Sequence, residues 1–542
     1  MRMVLIGYGP VGARFVEELL PAVAAGGVEL TVVGAEPHDA YNRVLVGEYA
    51  VGRSTRERLE MTDTAAAAAA GVDFRFGAAV VGIVREEHVV VVHGAGGRER
   101  LGYDRLVFAT GARANVPTLD GLERARRDRL AVAREGGALD AGPRPLPRGV
   151  LPLRSLDDAE TVRAHLASTP GAEVVVLGAG VLGMEFALAA AEAGASVSVV
   201  YHDGVPMGRN LDEGAGRVLA RLARAVGIGM HPHARAEAVL LRDDDDGRQV
   251  FDGLLCADGT VVRGTLLVLS CGASARVELA AAAGLRVSAG IVVDEELRSW
   301  SDPDVYAIGD CAQPVAPESV AAEVRADPAA RVPGAPSGLI APGWRQAAWL
   351  AARLADEALE LPASVPPLGA ERPAIVMLKA EGLDVVAAGD VKPDVWDDLD
   401  AHGCLHHGRR ISQWADPVAG RYVKLVTQGE RLAAFVSVGM PRTGAELTLL
   451  FEQAAPLPAD RSVLLRFDGP DAAAATGGAL TPESVVCTCN GVTAGRITDA
   501  AATGCSTVDA VGRATRAGTG CGGCRDRIQA LLDGAPQLTQ AK

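Results

Sequence analysis

Four of the nine cysteines of this chain fall into two tight pairs near its end, Cys487-x-Cys489 and Cys521-x-x-Cys524. Four thiolates at that spacing can hold a tetrahedral zinc ion or a [2Fe–2S] cluster, and spacing alone leaves both open. Two glycine fingerprints offer a second chemistry. Gly7, Gly9 and Gly12 stand in "VLIGYGPVGARF", and Gly178, Gly180 and Gly183 in "VVLGAGVLGMEF". In G-x-G-x-x-G the first glycine permits a tight turn, the second lets backbone approach a pyrophosphate, and the third lets helix pack closely on strand. The helix that follows then points its N-terminus at the phosphates. After the first fingerprint, "VELTVVGAE" ends at Glu36, placed to accept from a ribose 2′-hydroxyl. After the second, the corresponding position reads Tyr201-His202-Asp203. His202 and Arg209 could meet a 2′-phosphate and Asp203 could take a 2′-hydroxyl, so the choice between NADH and NADPH stays open.

The elements that position these residues must come from several domains, because 542 residues exceed what one core organises. A hydrophobic content of 49% with 22% charged residues is ordinary for a globular protein, and 64 glycines with long alanine runs point to tight α/β packing. The formal net charge of −15 argues against non-specific binding to nucleic acid or an anionic membrane. No apolar run approaches a membrane span. The chain opens directly on a strand-like Met1–Gly7, with no signal peptide ahead of it, and Cys256, Cys271, Cys311, Cys404 and Cys505 are scattered. A cytoplasmic location is therefore expected, where paired cysteines bind metal or do redox chemistry more often than they form disulfides.

Between the fingerprints, "YDRLVFATGARANVPTLDG" closes a buried strand on Ala109-Thr110-Gly111, and after the second, "DPDVYAIGDCA" places Asp310 at a strand end. These four motifs, in this order over residues 1–350, resemble the two-dinucleotide-binding-domain flavoprotein reductases. The resemblance implies FAD on Gly7, Gly9, Pro10, Gly12 and Glu36, with Thr110 and Gly111 at the turn linking two domains and Asp310 on the flavin's ribityl chain. It implies NAD(P)H on Gly178, Gly180 and Gly183, in a domain inserted into the FAD domain. Glu185 matches a position near the nicotinamide, with a buried glutamate at a helix start as the alternative. The segment "SGLIAPGWRQAAWLAARLA" reads as a helix from about Gly343, whose positive end the resemblance aims at the flavin pyrimidine. Relatives that reduce disulfides carry a cysteine pair in the first FAD helix region, and those that reduce peroxide or oxygen carry one in the next loop. Here "GPVGARFVEELL" and "HDAYNRVLVGEYAVG" contain none, so no protein thiol is placed to take the flavin's electrons. The loop "YNRVLVGEY" resembles the rubredoxin-reductase and nitrite-reductase branch, which implies Arg43 near the FAD phosphates or adenine, with a plain surface arginine as the alternative.

Farther on, "ERPAIVMLKAEGLDVVAAGDV", "RYVKLVTQGERLAAFVSVG" and "GAELTLLFEQAA" predict a small α/β domain whose strands pair around the Gln428–Arg431 turn. The stretch "LKAEGLDVVAAGD" resembles the region after the flavin domains in nitrite reductase large subunits and nitrate reductase electron-transfer subunits. "DGPDAAAATGGALTPES" reads as a linker. "GVTAGRITDAAATGCSTVDAVGRATRAGTG" resembles the bacterioferritin-associated-ferredoxin-like domain, which implies short helices and one [2Fe–2S] cluster on Cys487, Cys489, Cys521 and Cys524, with Cys505 a packing residue at a helix end. The expected fold is therefore α/β: two Rossmann-like dinucleotide-binding domains, the NAD(P)H domain (150–270) inserted in the FAD domain (1–120 and 271–360), then a small α/β domain (370–455), a linker (456–480) and a small helical [2Fe–2S] domain (481–535). The implied activity is electron transfer from NAD(P)H through FAD and the cluster to a partner, foremost the molybdopterin-containing catalytic subunit of an assimilatory nitrate reductase. Because the chain stops soon after Cys524, no sirohaem domain is expected to follow. The alternative is a stand-alone reductase for ferredoxin, rubredoxin or a separate nitrite reductase, and a reading of another class is a redox-sensing subunit.

Overall fold

The computed structural model describes residues 1–122, 146–327, 329–369, 374–380, 382–396, 409–465, 480–487, 489–520 and 522–533. Its first sheet is built on Arg2–Ile6, which pairs in parallel with Glu29–Gly34 on one side and Arg105–Phe108 on the other. Leu5, Val32 and Val107 are fully buried. Helices Pro10–Ala24 and Ile340–Ala358 and an antiparallel three-stranded sheet (Ala79–Val84, Val89–Gly94, Gly97–Gly102) all pack into its core, and strands so covered read as continuous apolar runs rather than alternating ones. Asp302–Ala307 joins Arg105–Phe108 in parallel, so strands from before and after the inserted segment share one eight-stranded sheet. Helix Pro10–Ala24 begins on a proline, whose missing N–H costs nothing in a first turn.

The inserted segment forms a five-stranded parallel sheet in the order Gly229–His231, Ser196–Val200, Glu173–Leu177, Leu266–Leu269, Val150–Leu151. The chain enters and leaves it through a short antiparallel ribbon, Ala112–Ala114 against Ala273–Ala275. A third sheet is antiparallel, in the order Ile375–Ala380, Leu383–Ala388, Arg431–Val438, Arg421–Gln428, Arg409–Asp416, with helix Pro441–Gln453 beside it. Gln428 pairs with Arg431 at the expected turn. This sheet packs on the inserted domain: Leu378, Tyr422 and Val436 share one apolar core with Val199, Phe186 and Leu219. The last unit is a short hairpin, Val485–Cys487 with Val492–Thr493, and helices Ala494–Ala502, Val508–Thr515 and Arg525–Leu532 around Val486, Ile497, Val511 and Ile528. Among the described residues no helix is long and apolar enough to cross a membrane.

Two expectations are corrected. The helix expected from about Gly343 runs from Ile340 to Ala358, because Pro342 falls in the first turn, where a missing N–H is tolerated. The segment expected as linker from 456 first packs on the third sheet: Arg461–Leu465 forms a 3-10 turn, and Leu457 and Leu464 are buried with Leu425 and Phe435. Residues 466–479, the glycine- and alanine-rich stretch, lie outside the described residues.

Candidate functional site

The two glycine turns repeat one construction. Gly7 and Gly178 both adopt positive φ, +104° and +111°, and a Cβ on either would strike a carbonyl oxygen of the neighbouring strand end, that of Ala109 or Ser270. A Cβ on Gly12 or Gly183 would strike the carbonyl of Gly7 or Gly178, so strand and helix approach as closely as glycine allows. The middle glycines differ. A Cβ on Gly180 would meet nothing within 4 Å, and one on Gly9 would meet only the Arg43 side chain, 3.7 Å away. Neither following helix has a side-chain cap at its N-terminus. Each turn therefore leaves an open cradle edged by unpaired helix N–H groups, the shape and polarity that a pyrophosphate requires.

Around the first cradle, Arg43 pairs with Glu36 at 2.5 Å. Burial pushes the Glu36 carboxyl up, but the Arg43 guanidinium, the Tyr41 hydroxyl and Arg276 together hold the group below the ordinary carboxylate value. Tyr41 donates to the other Glu36 oxygen at 2.8 Å and accepts from the Leu156 amide at 3.1 Å. Asp310 lies at the start of the turn after Asp302–Ala307 and pairs with Arg154 at 3.0 Å. Thr110 donates to the Arg276 carbonyl at 3.1 Å, and Gly111 accepts from the Arg276 amide at 2.9 Å, tying together the two crossings between the domains. Around the second cradle, Glu185 lines the cavity one turn into its helix. His202 is largely exposed and lies 3.2 Å from Asp203, with Arg209 on the same cavity wall. His202, which would read a 2′-phosphate, and Asp203, which would read a 2′-hydroxyl, thus stand side by side.

Both cradles open into one cavity of about 3840 Å³, which also reaches Cys489, Asn490 and Cys524. Cys487 is fully buried and its Sγ lies 3.8 Å from that of Cys489. Hydrogen bonds from Cys489 and then Cys524 hold the Cys487 thiol far below the ordinary cysteine range, which favours the thiolate that a metal needs. Cys521 lies outside the described residues, and the described thiols do not by themselves complete a metal-binding group. Cys505 is half-buried just past the end of Ala494–Ala502 and packs against the same small core, its amide bonded to the Ala500 carbonyl at 3.1 Å. The residues present thus fit the groups that the sequence implies: two cradles for dinucleotides, and soft, buried sulfur donors for an iron–sulfur cluster. Sequence reading missed Tyr41 and Arg154, whose partners lie on other elements, and also Asn42 and Trp344, which meet the cysteine unit. Tyr41 and Asn42 stand in the loop, and Trp344 in the helix, that the resemblance singled out, but nothing local gives them these partners, and no pattern marks Arg154.

Residues 1–326 match the pyridine nucleotide-disulphide oxidoreductase family, and residues 485–534 match the BFD-like [2Fe-2S] binding domain. The chain is 26% identical over 535 residues to nitrite reductase [NAD(P)H] of Bacillus subtilis (strain 168), covering 98% of this chain and 57% of that one. It is also 26% identical over 538 residues to the assimilatory nitrate reductase electron transfer subunit of the same organism, covering 98% and 59%. It thus spans somewhat over half the length of these curated relatives. Its fold resembles the covalent putidaredoxin reductase–putidaredoxin complex with a TM-score of 0.65 at 22% identity, over 86% of this chain and 96% of that one. FAD, NAD(P)H and a [2Fe–2S] cluster are the groups that the two family matches carry. With its cradles and sulfur donors in place, the chain belongs to the pyridine nucleotide-disulphide oxidoreductase family, as an NAD(P)H-dependent FAD oxidoreductase with a BFD-like [2Fe–2S] domain appended.

Proposed function

We propose that this chain takes electrons from NAD(P)H and delivers them singly to a separate redox protein. When bound, FAD supplies hydride acceptance and single-electron release, and the cluster supplies single-electron carriage. The chain's own residues bind and orient. Gly180 and the helix N-terminus behind it hold the nucleotide pyrophosphate, and Glu185 borders the nicotinamide end. Gly9 and Arg43 hold the FAD pyrophosphate, Glu36 the adenosine ribose, and Asp310, kept in place by Arg154, accepts from the ribityl hydroxyls. Cys487, Cys489, Cys521 and Cys524 hold the cluster. The observation that carries this reading is the single cavity onto which both cradles and the cysteine unit open.

The proposed acceptor is the molybdopterin-containing catalytic subunit of an assimilatory nitrate reductase, in the cytoplasm. This rests on the near-complete alignment of the chain with a protein named as that enzyme's electron transfer subunit. The test is reconstitution: the purified chain, the candidate catalytic subunit and NADH or NADPH, with nitrate-dependent nucleotide oxidation as the readout. Cys524→Ser should abolish that oxidation and preserve reduction of a dye that meets the flavin directly. Nucleotide oxidation that instead required an added ferredoxin or rubredoxin would reassign the chain as a stand-alone reductase for such a carrier.

A further inference from the structure

The cysteine unit does not hang from the flavin domain; it is clamped to it at one seam. Asn42 is 1% exposed, and its side-chain amide donates to two consecutive carbonyls, Thr519 at 3.0 Å and Gly520 at 2.8 Å. Its side-chain oxygen accepts from the Val44 amide at 3.0 Å, which fixes the amide's orientation. Beside it, Arg516 reaches Glu17 at 2.9 Å and Glu18 at 3.1 Å on helix Pro10–Ala24. Within the seam, a Cβ placed on Gly520 would lie 2.9 Å from the Cys489 sulfur and 2.9 Å from the Trp344 indole. Only a glycine backbone therefore separates thiol from ring. The indole, 6% exposed, donates at 3.0 Å to the carbonyl of Pro10, the first residue after the Gly9 cradle.

The geometry points to this seam as the route between the FAD site and the cluster site, with Trp344 and the Gly520 peptide as the contact and Asn42 and Arg516 as the positioning residues that hold it closed. The inference rests on the electron-transfer reading above and deepens it. Its balance is simple. NAD(P)H gives up a hydride and becomes NAD(P)⁺, its two electrons cross the seam one at a time and reduce an external redox partner in two one-electron steps, and one proton is left to solvent. Two crossings per nucleotide make the closeness of this contact matter.

Asn42→Asp tests the clamp conservatively. It keeps the acceptor for the Val44 amide but sets a carboxylate against two carbonyl oxygens. Arg516→Glu breaks the second clamp, and Arg516→Glu combined with Glu17→Arg restores an opposite-charge pair while leaving Glu18 to its ion pair with Arg14 at 3.0 Å. The holoproteins are mixed anaerobically with NADH or NADPH and followed at the flavin and cluster absorption bands, while hydrogen–deuterium exchange is read over residues 512–520. In Asn42→Asp and Arg516→Glu, flavin reduction should keep the unsubstituted rate. Cluster reduction should slow by roughly tenfold or more, since small misplacements of reacting groups are costly. Exchange over 512–520 should quicken, and the charge swap should restore both. Trp344→Leu should slow cluster reduction with full cluster content by absorbance. Equal cluster-reduction rates in all these chains would overturn the proposal. A cluster that stays oxidised in the unsubstituted chain would overturn the electron-transfer reading itself, and the proposal with it.

Discussion

At Gly180 and Gly183 one methyl group would have two different consequences. An alanine at 183 places its Cβ against the Gly178 carbonyl and the Ser270 side chain, so the turn must open. Such overpacking costs about 1–3 kcal/mol, and denaturant unfolding of Gly183→Ala should show it. At 180 the backbone sits at φ −71°, which alanine adopts freely, and the methyl meets no protein atom. Gly180→Ala should therefore keep its unfolding midpoint while the Michaelis constants for NADH and NADPH both rise, because the methyl fills the room meant for pyrophosphate. Asp310 is a second separable residue. Asp310→Ala removes the acceptor proposed for the ribityl hydroxyls and leaves the Arg154 guanidinium without this partner. A lost charged hydrogen bond of about 1.5–3 kcal/mol should release much of the flavin, read as the ratio of flavin absorbance to protein. The glycines were legible because their demands are local: a turn, a close approach, a phosphate. Arg154 was not, because its partner lies 156 positions away and nothing in its own neighbourhood anticipates the meeting.

Among the elements, the loop after Ser196–Val200 is held from outside its own domain. Lys392, on the third domain, donates to the carbonyls of Gly208 and Leu211. Asp212, which caps helix Glu213–Ala225, receives both the Tyr422 hydroxyl and, at 3.0 Å, the Lys424 ammonium. The Lys424 side chain is 2% exposed and that of Asp212 9%, so this ion pair is shielded from water and its loss from one side leaves a buried charge. Lys424→Met should cost about 3–5 kcal/mol by denaturant unfolding, and Asp212→Asn in the same chain should recover a large part of it. The loop so anchored carries His202 and Arg209. If these read a 2′-phosphate, replacing both with alanine should raise the NADPH Michaelis constant and leave that for NADH nearly unchanged; equal changes would remove the loop from the choice. The strands and the 428–431 turn were legible from apolar runs and turn residues. Ile340–Ala358 starts three residues ahead of the expected Gly343, since Pro342 in a first turn breaks no hydrogen bond. The anchoring of the loop could not be read at all, since Lys424 sits in a run that looks like any buried strand.

On the scale of the whole molecule, the order of motifs made four units legible, but not how the last one sits on the first. Asn42 and Gly520 are 478 positions apart, and a contact at that separation leaves no periodicity behind. One continuous chain already makes the transfer intramolecular, and the clamped seam fixes its geometry. A cysteine unit held against the flavin site presents itself at an effective concentration fixed by the chain, not by the solution. Reduction of the cluster after flavin should then be first-order, with a rate constant unaltered when the protein is diluted about a hundredfold, whereas delivery to the acceptor should fall in proportion. A flavoprotein and a free ferredoxin would lose both together. This chain keeps its internal step at any abundance the cell allows and leaves only the last encounter to chance.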